Sequence, residues 1–257
     1  MTRGTSEFRL TDLLWTRPET APRATLLLAH GAGAAMDSAF MTRLAEALAA
    51  EAIAVARFEF PYMAERRSTG RRRPPPKAET LVDAYRAAIE AVRAEAGSAA
   101  PLLIGGKSMG GRVAVMAAGP DVTDAVAGVV VFGYPFHPPA DETNPRVAPL
   151  AAVGRPTLVL QGERDEFGDR AEVESYALGD AVTVTFVEDG SHDFGPRGSS
   201  PATLKGNIRF AAAETAAFAA RLAGAPRAGA ADSAARPADA AATTPPPAAP
   251  PPTEPCP

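Results

Sequence analysis

The feature that most constrains this chain is the alternation of two hydrophobic periods along its first 223 residues. Short apolar runs of strand length fall at Thr25–Ala29, Ile53–Phe58, Leu102–Ile104, Val126–Phe132, Thr157–Leu160 and Val182–Val187. Between them lie stretches with apolar residues at helical spacing: Phe40/Met41, Leu44 and Leu48; Leu81, Tyr85, Ile89 and Val92; Leu204, Ile208, Ala211, Thr215, Phe218 and Leu222. Runs that are apolar without alternation belong to strands buried on both faces. Strand–helix alternation therefore predicts a mostly parallel, twisted α/β sheet covered by helices on both sides. An early strand pair within Glu7–Thr16 is weakly patterned. No internal repeat is visible.

The composition narrows the functional classes. With 257 residues, 46 % hydrophobic, the chain can bury a large core without metal or disulfide support. The net charge of −4 argues against a nucleic-acid partner. The single cysteine, Cys256, excludes an intrachain disulfide and a cysteine-rich metal site. Met1–Leu10 lacks the apolar stretch of a secretory signal, and Val126–Phe132 is too short to span a bilayer, so a cytoplasmic location without membrane attachment is expected. From Gly224 onward the sequence holds no large apolar side chain. The expected organisation is a folded domain over 1–223 and a disordered Ala/Pro-rich tail over 224–257, with partner docking by Thr244-Pro245-Pro246-Pro247 as the functional alternative.

In open parallel sheets the loops leaving the C-terminal strand ends carry the site. The chemically capable residues fall there. After Leu102–Ile104 comes Gly106-Lys107-Ser108-Met109-Gly110 and then the helical stretch Arg112–Ala118. Alone the G-x-S-x-G pattern is common; between a strand and a helix it is the context of a nucleophile elbow, which makes Ser108 the candidate nucleophile.

A serine hydroxyl needs a base. Of three histidines, His192 lies past the last strand and has an acid-bearing strand end between it and Ser108. That loop follows Leu158-Val159-Leu160-Gln161-Gly162 and offers Asp165, preferred over Glu163 and Asp169. The order Ser, acid, His is the one such sheets require. Candidate oxyanion donors are the backbone N–H groups of Met109 and of Ala32, within His30-Gly31-Ala32-Gly33-Ala34. His30 reads as a structural loop histidine bonded to backbone.

Several motifs together resemble a known family. They are His30-Gly31-Ala32-Gly33-Ala34 with Met36-Asp37 and Phe40-Met41; Arg57-Phe58 with Phe60-Pro61-Tyr62-Met63; and Gly70-Arg71-Arg72-Arg73-Pro74-Pro75. Gly106-Lys107-Ser108-Met109-Gly110-Gly111-Arg112, Gly133-Tyr134-Pro135 with His137-Pro138-Pro139, and Gln161-Gly162 with Asp165 and Phe167-Gly168 complete the set. From about Ala24 to Leu222 the chain resembles the α/β-hydrolase-like domain of testis-expressed and non-specific-lethal-complex proteins, a group related to dienelactone hydrolases. The resemblance implies the α/β-hydrolase fold and a serine triad of Ser108, Asp165 and His192. Dienelactone hydrolases carry cysteine where this chain has Ser108, so their lactone chemistry is not implied. Some members of the group serve as complex subunits without an established reaction, which keeps a catalytically silent interaction module open beside the hydrolase.

The expected reaction is hydrolysis of a small ester or related acyl compound through an acyl-enzyme, with no cofactor and no metal; thioesterase and peptidase activities would use the same groups. Only about twenty residues, Tyr134 to Arg155, separate the fourth of the six runs from the fifth, which leaves no room for a cap domain, so an open site is expected. Pro61–Lys77 forms the other cover and carries Arg66, Arg67, Arg71, Arg72, Arg73 and Lys77 against Glu65. Two readings compete: a cationic mouth in which Arg71, Arg72 and Arg73 bind an anionic substrate, or a solvated and internally paired run. His137 either touches substrate or is held by its prolines. Lys107 is expected to pack or pair locally.

Overall fold

The computed structural model describes residues 12–224 except 98, 120, 121, 123, 124 and 140. The C-terminal tail, and the first half of the early strand pair, lie outside the described residues.

Seven strands form one sheet in the order β1-β3-β2-β4-β5-β6-β7. They are β1 (Leu14–Thr16), β2 (Ala24–Ala29), β3 (Ile53–Phe58), β4 (Leu102–Lys107), β5 (Val126–Phe132), β6 (Thr157–Gly162) and β7 (Val182–Val187). Only β1 runs antiparallel, with Trp15 opposite Ala56; the other pairs are parallel. The helices are α1 (Ala39–Ala50), α2 (Pro61–Thr69), α3 (Val82–Ala96), α4 (Met109–Ala117), α5 (Ala148–Ala151), α6 (Arg170–Glu174) and α7 (Leu204–Gly224). Among the described residues no helix is long and apolar enough to cross a membrane.

Alternation along the strands divides the core in two. Leu26 and Leu28 of β2 pack with Met41, Leu44 and Leu48 of α1 and Ile208, Ala211 and Phe218 of α7. Leu27 and Ala29 face the other way, toward Tyr85, Ile89 and Val92 of α3 and Val113 of α4. The three helical stripes read from sequence are thus the buried faces of α1, α3 and α7. Strands covered on both faces need no polar side, which is why they appear as continuous apolar runs.

Two elements differ from the sequence reading. The cover Pro61–Lys77 is helical over its first nine residues, α2, with Pro61 at its first turn and Gly70 closing it at φ 70°. Only Met63 of α2 is buried, so its helical period was hidden among polar residues. Strand β4 also runs on through Gly105, Gly106 and Lys107 to the elbow itself. The strand order reverses between β2 and β4, and this switch point opens a crevice at their C-terminal ends.

Candidate active site

Ser108 stands between β4 and α4 at φ 53° and ψ −120°, a region that non-glycine residues rarely occupy. Its amide is fixed to the Phe132 carbonyl at 3.1 Å. The flanking glycines are required by contact. A Cβ on Gly106 would lie 2.4 Å from the Gly110 carbonyl carbon, and one on Gly110 would lie 2.4 Å from the His30 oxygen. Ser108 occupies the helix N-cap position, yet its hydroxyl makes no capping hydrogen bond. The next N–H, that of Met109, opens α4 and has no acceptor within the helix. The positive end of the helix dipole therefore faces the same place.

The loop after β2 lies across the switch point. A Cβ on Gly31 would touch the Ser108 Cβ at 3.7 Å, which brings the His30–Ala34 loop directly over the elbow. Its shape is held from α2: the Tyr62 hydroxyl donates to the Ala32 carbonyl at 3.0 Å. His30 is fully buried. Its Nε2 accepts from the Phe60 N–H at 3.1 Å, which places the proton on Nδ1, bonded to the Gly31 carbonyl at 2.7 Å. Burial lowers its pKa below 6.5, so the ring stays neutral and ties the loop to the start of α2.

The candidate acid and the candidate base meet. Asp165 is 1 % exposed, and its Oδ1 and Oδ2 lie 3.0 and 2.8 Å from His192 Nδ1. The carboxylate also accepts from the Phe167 N–H and from Gln161 Nε2, each at 2.9 Å. Gln161 is itself fully buried, and its Oε1 accepts from the Tyr134 N–H. Phe167 packs on the imidazole with ring centres 4.5 Å apart. The ring rests against Gly133, where a Cβ would stand 3.2 Å from Nδ1. Gly133 follows Phe132, the residue whose carbonyl holds the Ser108 amide, so His192 and Ser108 flank the same strand end. Among the described residues the Ser108 hydroxyl and His192 Nε2 do not form a hydrogen bond with each other; in enzymes without substrate this contact is often long and tightens on binding.

The base loop is clamped further back. Asp189, at φ 47°, pairs with Arg164 at 2.7 Å and Arg197 at 2.8 Å, and its own N–H is held by Glu163 at 2.7 Å. The Arg197 N–H and the two guanidinium groups lower the Asp189 pKa to about 2.

His137 is 2 % exposed, with Nδ1 on the Pro138 carbonyl at 2.8 Å and Nε2 facing Glu172 at 3.4 Å. Both nitrogens are engaged inside the protein. The basic run divides. Arg67 is bidentate to Asp37 and also paired with Glu59, and Arg73 pairs with Glu65 at 3.2 Å. Arg71 and Arg72 are exposed. Arg66 points back to the Gly33 carbonyl at 3.4 Å and, with Gly33, Glu59 and Met63, lines a cavity of about 220 Å³.

Two groups around the site escaped the sequence reading as functional. Gln161 is one, and its signal is an amide side chain ending an apolar strand, which burial obliges to hydrogen-bond. Tyr62 carries no comparable local signal, because its partner is thirty residues away.

A sheet of this order with a serine elbow, a strand-end acid and a late histidine defines the α/β-hydrolase class. Residues 22–220 match the family model described as "Alpha/beta hydrolase domain", and the chain belongs to that family. Solved structures share the fold. A dienelactone hydrolase from Anabaena variabilis aligns at TM-score 0.59 and 22 % identity, covering 77 % of this chain and 88 % of the other. A lidless α/β serine hydrolase from Xanthomonas campestris aligns at TM-score 0.54 and 24 % identity, covering 79 % and 88 %. An α/β serine hydrolase homologue from Coxiella burnetii aligns at 0.56 and 18 %, covering 81 % and 89 %.

Proposed function

We propose that this protein is a serine hydrolase acting on a small ester or related acyl compound through an acyl-enzyme. In this reading Ser108 attacks the acyl carbon while His192 takes its proton and passes it to the departing alcohol. Water then attacks the acyl-enzyme with His192 again as base, releasing the acid. Asp165 fixes the Nδ1–H tautomer and stabilises the imidazolium. The Ala32 and Met109 amides hold the developing oxyanion. The observation that carries the reading is the buried Asp165–His192 pair at 2.8 Å beside a strained serine elbow whose hydroxyl caps nothing.

Kinetics with p-nitrophenyl acetate test it. Ser108→Ala and His192→Ala should each lower kcat by about 10⁴-fold or more, and Asp165→Asn by nearly as much. Wild-type protein without turnover on short acyl esters and thioesters would favour a silent interaction module instead.

The same reading extends to specificity. We place the protein in the testis-expressed and non-specific-lethal-complex type of the family, on the motifs quoted above, and take its substrate to be a water-borne molecule met in the cytoplasm. Arg66 beside the oxyanion loop, with exposed Arg71 and Arg72 following α2, supports a preference for an anionic group on that substrate. Replacing Arg66 or Arg72 by Ala should reduce kcat/KM more for a carboxylate-bearing ester than for its neutral analogue. Equal losses would discard the preference.

A further inference from the structure

We propose that Lys107 and Asp193 are positioning residues that set the separation of nucleophile and base, a role that rests on reading Ser108 and His192 in those parts. Lys107 ends β4 and immediately precedes Ser108; Asp193 immediately follows His192. Lys107 Nζ lies 3.1 Å from Asp193 Oδ1. The lysine side chain is 7 % exposed and the aspartate 71 %. The ammonium sits 5.6 Å from the centre of the Phe40 ring, and the lysine stem packs against Gly31.

A lysine in this place is not explained by folding. The rest of β4 is apolar or glycine, and burial disfavours the ammonium, which Asp193, Asp165 and Glu166 counteract. An ion pair whose carboxylate is largely exposed contributes little to stability. What the pair adds is a link between two loops.

Three successive residues of the base loop are anchored on three different parts of the molecule. His192 is held by Asp165. Phe194 meets Phe40 of α1, ring centres 5.8 Å apart, and its carbonyl accepts from Asn207 of α7 at 2.9 Å. Asp193 supplies the leg that reaches β4 itself, one residue from the nucleophile. The acid loop orients the imidazole, while the Lys107–Asp193 pair fixes how near its Nε2 edge comes to Ser108. A misplacement of about 1 Å in such a pair can cost about 10²-fold in rate.

The test combines p-nitrophenyl acetate kinetics with the rate of labelling by a fluorophosphonate, in wild type, Asp193→Asn, Lys107→Met, Lys107→Arg, the double variant Lys107→Met/Asp193→Asn, and Ser108→Ala. Asp193→Asn alters an exposed carboxylate, so it keeps the test open even where Lys107→Met fails to fold. The expected result is a fall of about tenfold or more in kcat and in labelling rate for Asp193→Asn and Lys107→Met, with KM changed less than twofold. The double variant should be no worse than the more damaging single one, and Lys107→Arg should recover part of the loss. Labelling and kcat within twofold of wild type in Asp193→Asn would overturn the positioning role while leaving Ser108 as nucleophile. A wild type that labels no faster than Ser108→Ala would overturn the nucleophile and this role together.

Discussion

Ser108 holds a backbone conformation that costs free energy, and contacts on both sides enforce it. Gly110 is one of these, because the His30 carbonyl occupies the place its Cβ would take. Gly110→Ala should destabilise the fold by about 1–3 kcal/mol and reduce activity further by shifting the elbow; thermal unfolding beside ester kinetics measures both. His30 gives a pH prediction. Its pKa is lowered in the folded protein, so the unfolded chain takes up a proton that the folded one refuses. Stability contributed by the neutral ring is intact above the unfolded value of 6.5 and declines as pH falls through it. Urea unfolding between about pH 8 and pH 5 should therefore show a steeper loss in wild type than in His30→Gln. Equal slopes would contradict the buried, neutral assignment. At this scale the candidate residues Ser108, Asp165 and His192 were legible, because chain order and strand-end position select them from few alternatives. Gln161, Tyr62 and Asp193 were not read as part of the site, because their roles exist only across loops that folding brings together.

Helices and strands were legible where burial is one-sided or complete, and less so where it is neither. The stripes of α1, α3 and α7 are the faces that pack, but α2 buries one side chain and was read as a covering loop. Tyr85 shows how far a stripe can mislead by omission. It reads as one more apolar contact of α3, yet its hydroxyl donates toward the Gly105 carbonyl at 2.6 Å and accepts from the Gly105 N–H at 2.8 Å. The helix is thereby pinned to β4 two residues before the elbow is entered. Tyr85→Phe should cost about 1–3 kcal/mol, the price of leaving a buried N–H unpaired, as read from denaturant midpoints. A change below about 0.5 kcal/mol would show that water or a neighbouring carbonyl replaces the hydroxyl.

Across the whole molecule, the sheet order explains why residues remote in sequence converge. The reversal between β2 and β4 places the His30–Ala34 loop and the elbow side by side, and β5, β6 and β7 then deliver Gly133, Asp165 and His192 in turn. Parallel pairing was readable from the alternation of periods; the order of the strands was not, because apolar runs of similar length carry no register. Substrate identity is the least legible property, since a run of arginines such as Arg71 and Arg72 carries no information about the shape of a substrate. The central claim is that Ser108 is the nucleophile this architecture serves. Reaction of the intact protein with a fluorophosphonate, followed by mass-spectrometric mapping of the peptide that gains mass, tests it most directly. A single adduct on Ser108, lost in His192→Ala, is the predicted result; no adduct, or one borne by another residue, would contradict the account.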